Sequence, residues 1–240
     1  MDQKLPDFRE EFYKDYVDFK DWNEESDINP SEMFEIEFER LALPGKLKIL
    51  EVGFGKGELL DWSKQKGHDI TGIEIIPELV SQSKSRGHNV FQLAAQSLEK
   101  GPFSAQNFDL IVIFDVLEHL YITEIVELLK KCGKLLKSNG KILLRFPNGL
   151  SPIGIVQHMK DITHVTILSP ERMVQLGRIT GFKVIFSGNT ARPLNQGKRP
   201  RWMRVLLYKL RNILEKILGL LYYGGRVPLD PNMTVILQKI

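Results

Sequence analysis

Apolar and polar positions along the chain follow two rhythms. Short, nearly continuous apolar runs at 47–52, 70–73, 89–93, 108–114, 141–146 and 182–186 read as strands buried on both faces, as in a mostly parallel sheet. Between them, apolar residues recur at three- and four-residue spacing and predict amphipathic helices from Glu58 to Lys66, Pro77 to Arg86 and Thr123 to Lys137. Ser169-Pro170 opens a further helix, with Ser169 as cap, and Gly181 closes it. Near the start, Asn29 caps a helix with Pro30 at its first position and Glu32 three residues after the cap; Phe34, Phe38 and Leu41 form its apolar face. Asn139-Gly140 reads as the turn into the fifth strand, residues 149–170 as a loop, and 233–238 as a seventh strand. This alternation, with a late pair of strands, predicts an α/β chain built on a doubly wound sheet.

Two segments stand outside the alternation. Residues 1–28 are acidic and aromatic, and Phe8, Phe12, Tyr16 and Phe19 share one helical face. They form either an edge helix or a lid over a site. Residues 199–223 read as an amphipathic helix with leucines and isoleucines on one side and Arg201, Arg204, Lys209, Arg211 and Lys216 among them. That pattern suits an anionic membrane surface, a cover on the sheet or a dimer contact. Charge sharpens the contrast. The net charge of the 240 residues is only +3, but residues 1–43 hold 14 acids against 5 bases, and residues 192–216 hold 8 bases against the single acid Glu215. Nucleic acid is disfavoured because no aromatic-interleaved basic platform appears. Cys132 is the only cysteine, falls in an apolar helix and reads as core; its isolation fits a reducing cytosol. The acidic N-terminus shows no signal peptide, and the longest purely apolar run, 110–114, is far too short to span a membrane. The expected location is cytoplasmic, with peripheral contact at an inner membrane face through 199–223.

The chemistry concentrates between Lys48 and Glu74. A buried strand runs into Gly53, Gly55 and Gly57, then a helix, then a second strand that ends on Glu74. Glycines let the backbone turn sharply and let a ligand lie against it. Glu74 follows Gly53 by 21 residues, where the acid of a doubly wound nucleoside-binding unit meets the ribose hydroxyls. The dinucleotide fingerprint wants its third glycine at position 58, which is Glu58; the third glycine comes one residue early, and Glu51 stands two before the first.

This E-x-G-x-G-x-G resembles motif I of the class I S-adenosylmethionine-dependent methyltransferases. The resemblance covers about residues 45–190 plus the last strand and is most specific at 51–57, 74 and 115–119. It implies a Rossmann-like, seven-stranded, mostly parallel sheet in the order 3-2-1-4-5-7-6, with S-adenosylmethionine as cofactor. Glu51, Gly53, Gly55, Gly57, Glu74 and Ile75 would then hold the cofactor. The adenine-binding Asp expected after strand three is replaced by Ala95, with Gln96 beside it, and these two are carried as cofactor contacts. Asp115 opens D-V-L-E-H-L (115–120), which resembles the post-strand motif of small-molecule and sugar methyltransferases and would face the methionine end.

His119 is the first candidate for a general base, His164 the second, with His158 beside it. No metal is expected. The competing metal reading joins Asp115, Glu118 and His119 to a downstream His, as in the related E-x-x-E-H patterns of quinone-type and small-RNA methyltransferases. The stretch His164-x(4)-Ser169-Pro170-Glu171 resembles methyltransferases of surface-polysaccharide and lipid-linked pathways, which implies O-methylation of a sugar, glycan or lipid-linked intermediate. The alternatives are a quinone-like small-molecule acceptor, or a catalytically silent nucleoside-binding module. The expected organisation is a single domain: a helical lid (1–43), a cofactor-binding core (44–190), a basic amphipathic insertion (191–232) and the last strand (233–240).

Overall fold

The computed structural model describes residues 12–13, 30–195, 199–225 and 227–240. Strands β1 (Lys48–Val52), β2 (Asp69–Glu74), β3 (Asn89–Gln92), β4 (Phe108–Phe114), β5 (Leu136–Pro147), β6 (Phe182–Asn189) and β7 (Asn232–Lys239) form one sheet. Their order is β3-β2-β1-β4-β5-β7-β6, as the family resemblance implied. The first five run parallel, and β7 runs antiparallel to both β5 and β6. The helices are α1 (Ser31–Leu41), α2 (Glu58–Gln65), α3 (Pro77–Ser85), α4 (Ile122–Leu135), α5 (Pro152–Met159), α6 (Pro170–Thr180) and α7 (Arg201–Tyr223).

The two-residue period of a strand divides its side chains between two cores. Leu50, Val52, Ile111, Ile113, Ile142 and Leu144 pack with Ile125, Leu128 and Cys132 of α4 and Met173 of α6. Ile49, Leu110, Val112 and Leu143 pack on the other side with Phe34 of α1, Leu60 and Trp62 of α2 and Leu79 of α3. The central strands are thus buried on both faces, which is why they read as continuous apolar runs. Cys132 is core, and burial pushes its thiol pKa up to about 12.

Two expectations need correction. Residues 149–170 are not all loop, because α5 occupies Pro152–Met159. Its start carries the same Ser-Pro pair that marks α6: the Ser151 hydroxyl accepts the Ile153 N–H at 3.2 Å. The helix is only eight residues long and holds Gly154, where a Cβ would fall 2.1 Å from the Asn148 carbonyl oxygen. Nor is Asn139-Gly140 the boundary of the fifth strand. That strand begins directly after α4 at Leu136, and Asn139, at φ 61°, lies within it where the pairing with β4 shifts register.

All five parallel strands end at one edge of the sheet. Pro147 pairs with Asn232, and Asn189 is opposite Met233. The end of β6 and the start of β7 therefore lie at that same carboxyl edge, and α7 is inserted there. The buried Glu37 of α1 clamps this corner, accepting the Ala191 N–H and, at 2.8 Å, the Thr234 hydroxyl, while pairing with Arg40 at 2.8 Å. Glu37→Leu strands these donors and is expected to cost roughly 1.5–3 kcal/mol. Urea unfolding checks this; an unchanged midpoint would show that the clamp contributes nothing.

Candidate active site

The glycine turn does its work through backbone geometry. Gly53, Gly55 and Gly57 all have positive φ (75°, 54° and 79°), which a side chain disfavours. A Cβ at Gly53 would meet Val116 Cγ2 at 2.4 Å, and one at Gly57 would meet Arg86 Nη2 at 2.6 Å. Gly53 and Gly55 line a cavity of about 410 Å³, whereas Gly57 does not: it seats the start of α2 against α3.

Glu74 joins this turn to the next. Its carboxylate accepts the Gly55 N–H at 3.0 Å, the Ile75 N–H at 2.7 Å and the Ile76 N–H at 3.2 Å. A carboxylate offers about four lone-pair sites, so one position on Oε2 is left for a ribose hydroxyl. A second hydroxyl must displace one of the longer amide bonds. Burial raises the pKa of Glu74, while the three backbone N–H groups pull the other way.

Glu51 sits deeper, on β1, and its Oε2 is buried with no hydrogen-bond partner. Burial first, then the nearby Glu74, push its pKa well above the usual carboxylate range; Arg145 opposes them.

Asp115 follows β4 with φ 55°, a conformation that costs a non-glycine residue roughly 1–2 kcal/mol. Arg145 holds it there in a forked pair, Nε to Oδ2 at 3.0 Å and Nη2 to the same oxygen. Burial disfavours the Arg145 charge, but Asp115, Glu118 and Glu37 outweigh it and raise its pKa. The guanidinium also lies 4.6 Å over the Phe114 ring. Asp115 lines the cavity with its carboxylate engaged. Ala95 and Gln96 line it too, but the Gln96 amide is turned to Glu124 at 3.3 Å.

The histidines converge from distant sequence. Glu118 and His119 lie on a short 3-10 turn, Leu117–His119. The Glu118 carbonyl accepts the Val165 and Thr166 N–H groups at 2.8 and 3.1 Å, which draws the segment after α5 against it. His164 then meets His119 edge-on, with ring centroids 4.6 Å apart. Both rings are oriented by hydrogen bonds. The Thr163 hydroxyl donates its proton to Asp161 Oδ1 at 2.5 Å, so it can only accept from His119 Nδ1 at 2.8 Å. His164 Nδ1 faces the His158 carbonyl at 3.0 Å and donates to it. This network assigns the Nδ1 proton of both rings, so a neutral His119 carries its lone pair on Nε2, while His164 Nε2 lies 3.8 Å from the buried Asp161 Oδ2. Glu118, His119 and His164 each offer a ligand-type atom within 4.8 Å of the others. Asp115 is not part of that group, because its carboxylate faces Arg145. His158 does not line the cavity; burial lowers its pKa, with Asp161 opposing.

Known proteins resemble this chain in sequence and in fold. The methyltransferase domain family matches residues 50–144. That match covers about two fifths of the chain. Among curated relatives, ubiquinone biosynthesis O-methyltransferase of Coxiella burnetii is 30% identical over 118 residues, 48% of this chain and 49% of that protein. The protein of the same name from Pseudomonas fluorescens is 33% identical over 134 residues, 50% and 55% of the two chains. The chain thus spans about half the length of these relatives. Among solved structures, a SAM-dependent methyltransferase from Archaeoglobus fulgidus superposes with a TM-score of 0.67 at 20% identity, covering 93% of this chain and 99% of that one. A Burkholderia thailandensis 1,6-didemethyltoxoflavin-N1-methyltransferase with S-adenosylhomocysteine bound gives a TM-score of 0.60 at 16% identity, covering 100% and 93%.

The residues lining the cavity fit S-adenosylmethionine. The cofactor is a nucleoside carrying positive charge at its sulfonium and amino groups. The cavity offers a self-held Glu74 for the ribose and an unpartnered, buried Glu51 for a cation. Sequence reasoning missed Tyr13, Met33, Phe34, Arg145, Gln157 and Asn232, all of which line the cavity. Arg145 had a signal: it is the one charge within the apolar run 142–146, and an arginine buried in a central strand needs a partner. Tyr13 lies one residue off the predicted aromatic face and lines the cavity, whereas Phe12 of that face is exposed. Phe8, Tyr16, Phe19 and the Asn29 cap lie outside the described residues.

Two outcomes follow for the carboxylates. Glu74→Ala is expected to weaken S-adenosylmethionine binding by roughly 1.5–3 kcal/mol in calorimetry, and unchanged affinity would remove Glu74 from the ribose contact. The raised pKa values of Glu51 and Glu74 mean that the folded chain binds these protons more tightly than the unfolded chain. Their contribution to stability is complete below the ordinary carboxylate range and is lost as pH rises through the raised values. Glu51→Gln is therefore expected to stabilise the ligand-free protein at pH 8 and to reduce proton release on cofactor binding. A melting temperature that falls at pH 8 would contradict this.

Proposed function

We propose that the chain is an S-adenosylmethionine-dependent methyltransferase that methylates a hydroxyl on a small, flat, quinone-like acceptor. The observation that carries the reading is the oriented His119 at the cavity wall, its Nδ1–H held by Thr163 and Asp161 and its lone pair on Nε2. Bound S-adenosylmethionine would supply an activated methyl group on a sulfonium. Glu74 would hold the ribose, Gly53 and Gly55 would let the ligand lie on the backbone, and Glu51 would meet its positive charge. His119 Nε2 would take the proton of the acceptor hydroxyl as the oxygen attacks, and Asp161, through Thr163, would steady the imidazolium.

Aromatic side chains favour a flat acceptor. Phe34 and Phe114 stack with centroids 6.4 Å apart and planes 6° apart, and Tyr13 lies 6.3 Å from His119. Tyr13 supports a lid role for the N-terminal segment. The relatives named ubiquinone biosynthesis O-methyltransferase support the quinone-like acceptor over the glycan or lipid-linked sugar of the polysaccharide-pathway resemblance. A second reading is favoured by the approach of Glu118, His119 and His164. Together they can hold a divalent cation, which would acidify the acceptor hydroxyl in place of a base.

Transfer of labelled methyl to catechol-type and sugar acceptors tests the proposal: turnover is expected with the first class. Under the base reading His119→Ala lowers kcat roughly 10²- to 10⁴-fold. Thr163→Val lowers kcat with KM held, Thr163→Ser restores it, and chelators have no effect. Loss of activity on chelation, restored by a divalent ion, would replace the base with the metal. No turnover on either acceptor class by a chain that binds the cofactor would favour the silent module.

A further inference from the structure

The helix α7 is attached the wrong way round for a core helix. Its polar side faces the protein. Glu215 and Gly219 are its buried residues. Glu215 pairs with Arg192 at 2.6 Å and accepts from the Asn189 amide at 2.7 Å. Arg192 also bonds Asn212 at 2.7 Å and pairs with Asp230, and the Tyr208 hydroxyl donates to the Pro193 carbonyl at 2.9 Å. This polar lock fixes the orientation and turns the apolar side to solvent. Leu206, Leu210, Ile213, Ile217, Leu220 and Leu221 are all about half exposed or more, with Leu221 at 71%. A soluble surface rarely leaves so continuous an apolar face uncovered.

Charge identifies what covers it. At helical spacing the outward face is bordered on one side by Lys209 and Lys216, seven residues apart, whereas Arg204 and Arg211 fall toward the inward side, where Arg211 pairs with Asp230 at 3.6 Å. The single acid of the helix, Glu215, is turned inward. A second copy laid antiparallel on this face would bring the lysine border of one helix against that of the other. A bilayer with anionic headgroups would pair with Lys209 and Lys216 and take the leucines beside them. Trp202 at one end of the helix and Tyr222 and Tyr223 at the other are each two-thirds or more exposed, and such side chains favour the headgroup zone. Among the described residues no helix is long and apolar enough to cross a membrane, so the contact would lie in the interface.

We propose that the outward face of α7 docks the protein on an anionic phospholipid bilayer. The position of the helix gives this surface a use. Its two connections leave the carboxyl edge of the sheet, where the cavity opens. Glu32, beside the cavity residue Met33, accepts the Leu194 and Asn195 N–H groups at 3.0 and 2.8 Å. After α7, the Leu229 carbonyl accepts from the Ser151 hydroxyl at 2.7 Å, directly before α5, which carries the cavity residue Gln157. The outward side of α5 adds Ile153, Val156 and Met159, all exposed. Docking through α7 brings an acceptor dissolved in the membrane to the same edge as the cofactor cavity.

Co-sedimentation of the full chain with phosphatidylcholine vesicles, with and without phosphatidylglycerol, tests the proposal. Binding is expected only to the anionic vesicles and is expected to weaken as salt approaches about 1 M, where the screening length is about 3 Å. Each basic residue near an anionic surface is worth about fivefold in partitioning, so Lys209→Glu with Lys216→Glu should lower it about 25-fold or more. Leu210→Asp with Ile217→Asp should abolish it. Far-UV circular dichroism reports folding of these variants without reference to the cofactor, so failure of docking is told apart from failure of the methyl-transfer reading. Equal sedimentation with neutral and anionic vesicles, or variants that bind as well as the parent, would overturn the proposal. So would a concentration-dependent dimer that Leu210→Asp with Ile217→Asp makes monomeric, which would assign the face to a second copy.

Discussion

The carboxylate of Glu74 ties two turns into one surface. It closes the tip of β2 by accepting the amides of Ile75 and Ile76, and it reaches across to the Gly55 amide in the turn after β1. The glycine turn has positive φ at three positions and one hydrogen bond of its own, from the Gly57 N–H to the Phe54 carbonyl at 2.9 Å, which leaves the Gly55 amide to be held from outside. The contact across the strands supplies the constraint, and it does so with a group that keeps one lone pair for a ligand. Burying a carboxylate has a cost, visible as the raised pKa of Glu74, and three amides offset part of it. Glu51, close by and without such amides, bears the larger penalty. The site is thus pre-shaped around two buried carboxyl groups whose ionisation a bound cation would favour, an arrangement that suits a cationic nucleoside better than a neutral one.

Everything else that defines the cavity arrives at the same edge of the sheet for topological reasons. Parallel strands bring the glycine turn, the Asp115 turn and the end of β5 to one side. The antiparallel β7 adds its own beginning there, which is how Asn232 comes to line the cavity. Arg145 links the last two parallel strands by fixing Asp115 in its left-handed conformation. The 3-10 turn after Asp115 docks on the segment that follows α5, and this docking, rather than sequence spacing, brings His164 to His119.

The legible parts of this arrangement are those set by local rules. Strands buried on both faces, the glycine turn and the distance from Gly53 to Glu74 follow from backbone sterics and periodicity, and they appear in the sequence as such. The strand order and the D-V-L-E-H-L turn were legible through resemblance to a family. What was not legible depends on contacts across long stretches of chain. The pairing of Asp115 with Arg145 spans 30 residues, and that of His119 with Thr163 spans 44; no spacing rule encodes either. α5 escaped notice because eight residues around a glycine give too little periodicity, although Ser151-Pro152 announced its start. In α7 the amphipathic pattern was plain, but a pattern cannot say which side faces the protein. The polar lock of Arg192 on Glu215 decides that.

The central claim is that the cavity at the carboxyl edge holds S-adenosylmethionine through Glu74, with the reactive end toward His119. A crystal structure of the chain with S-adenosylhomocysteine tests it most directly. The account predicts one nucleoside per chain, a ribose hydroxyl on Glu74 Oε2 in the position left by the Gly55 amide, and the sulfur on the His119 side of the cavity. A nucleoside bound elsewhere, or bound in the cavity with Glu74 still held by Gly55, Ile75 and Ile76 alone, would contradict it.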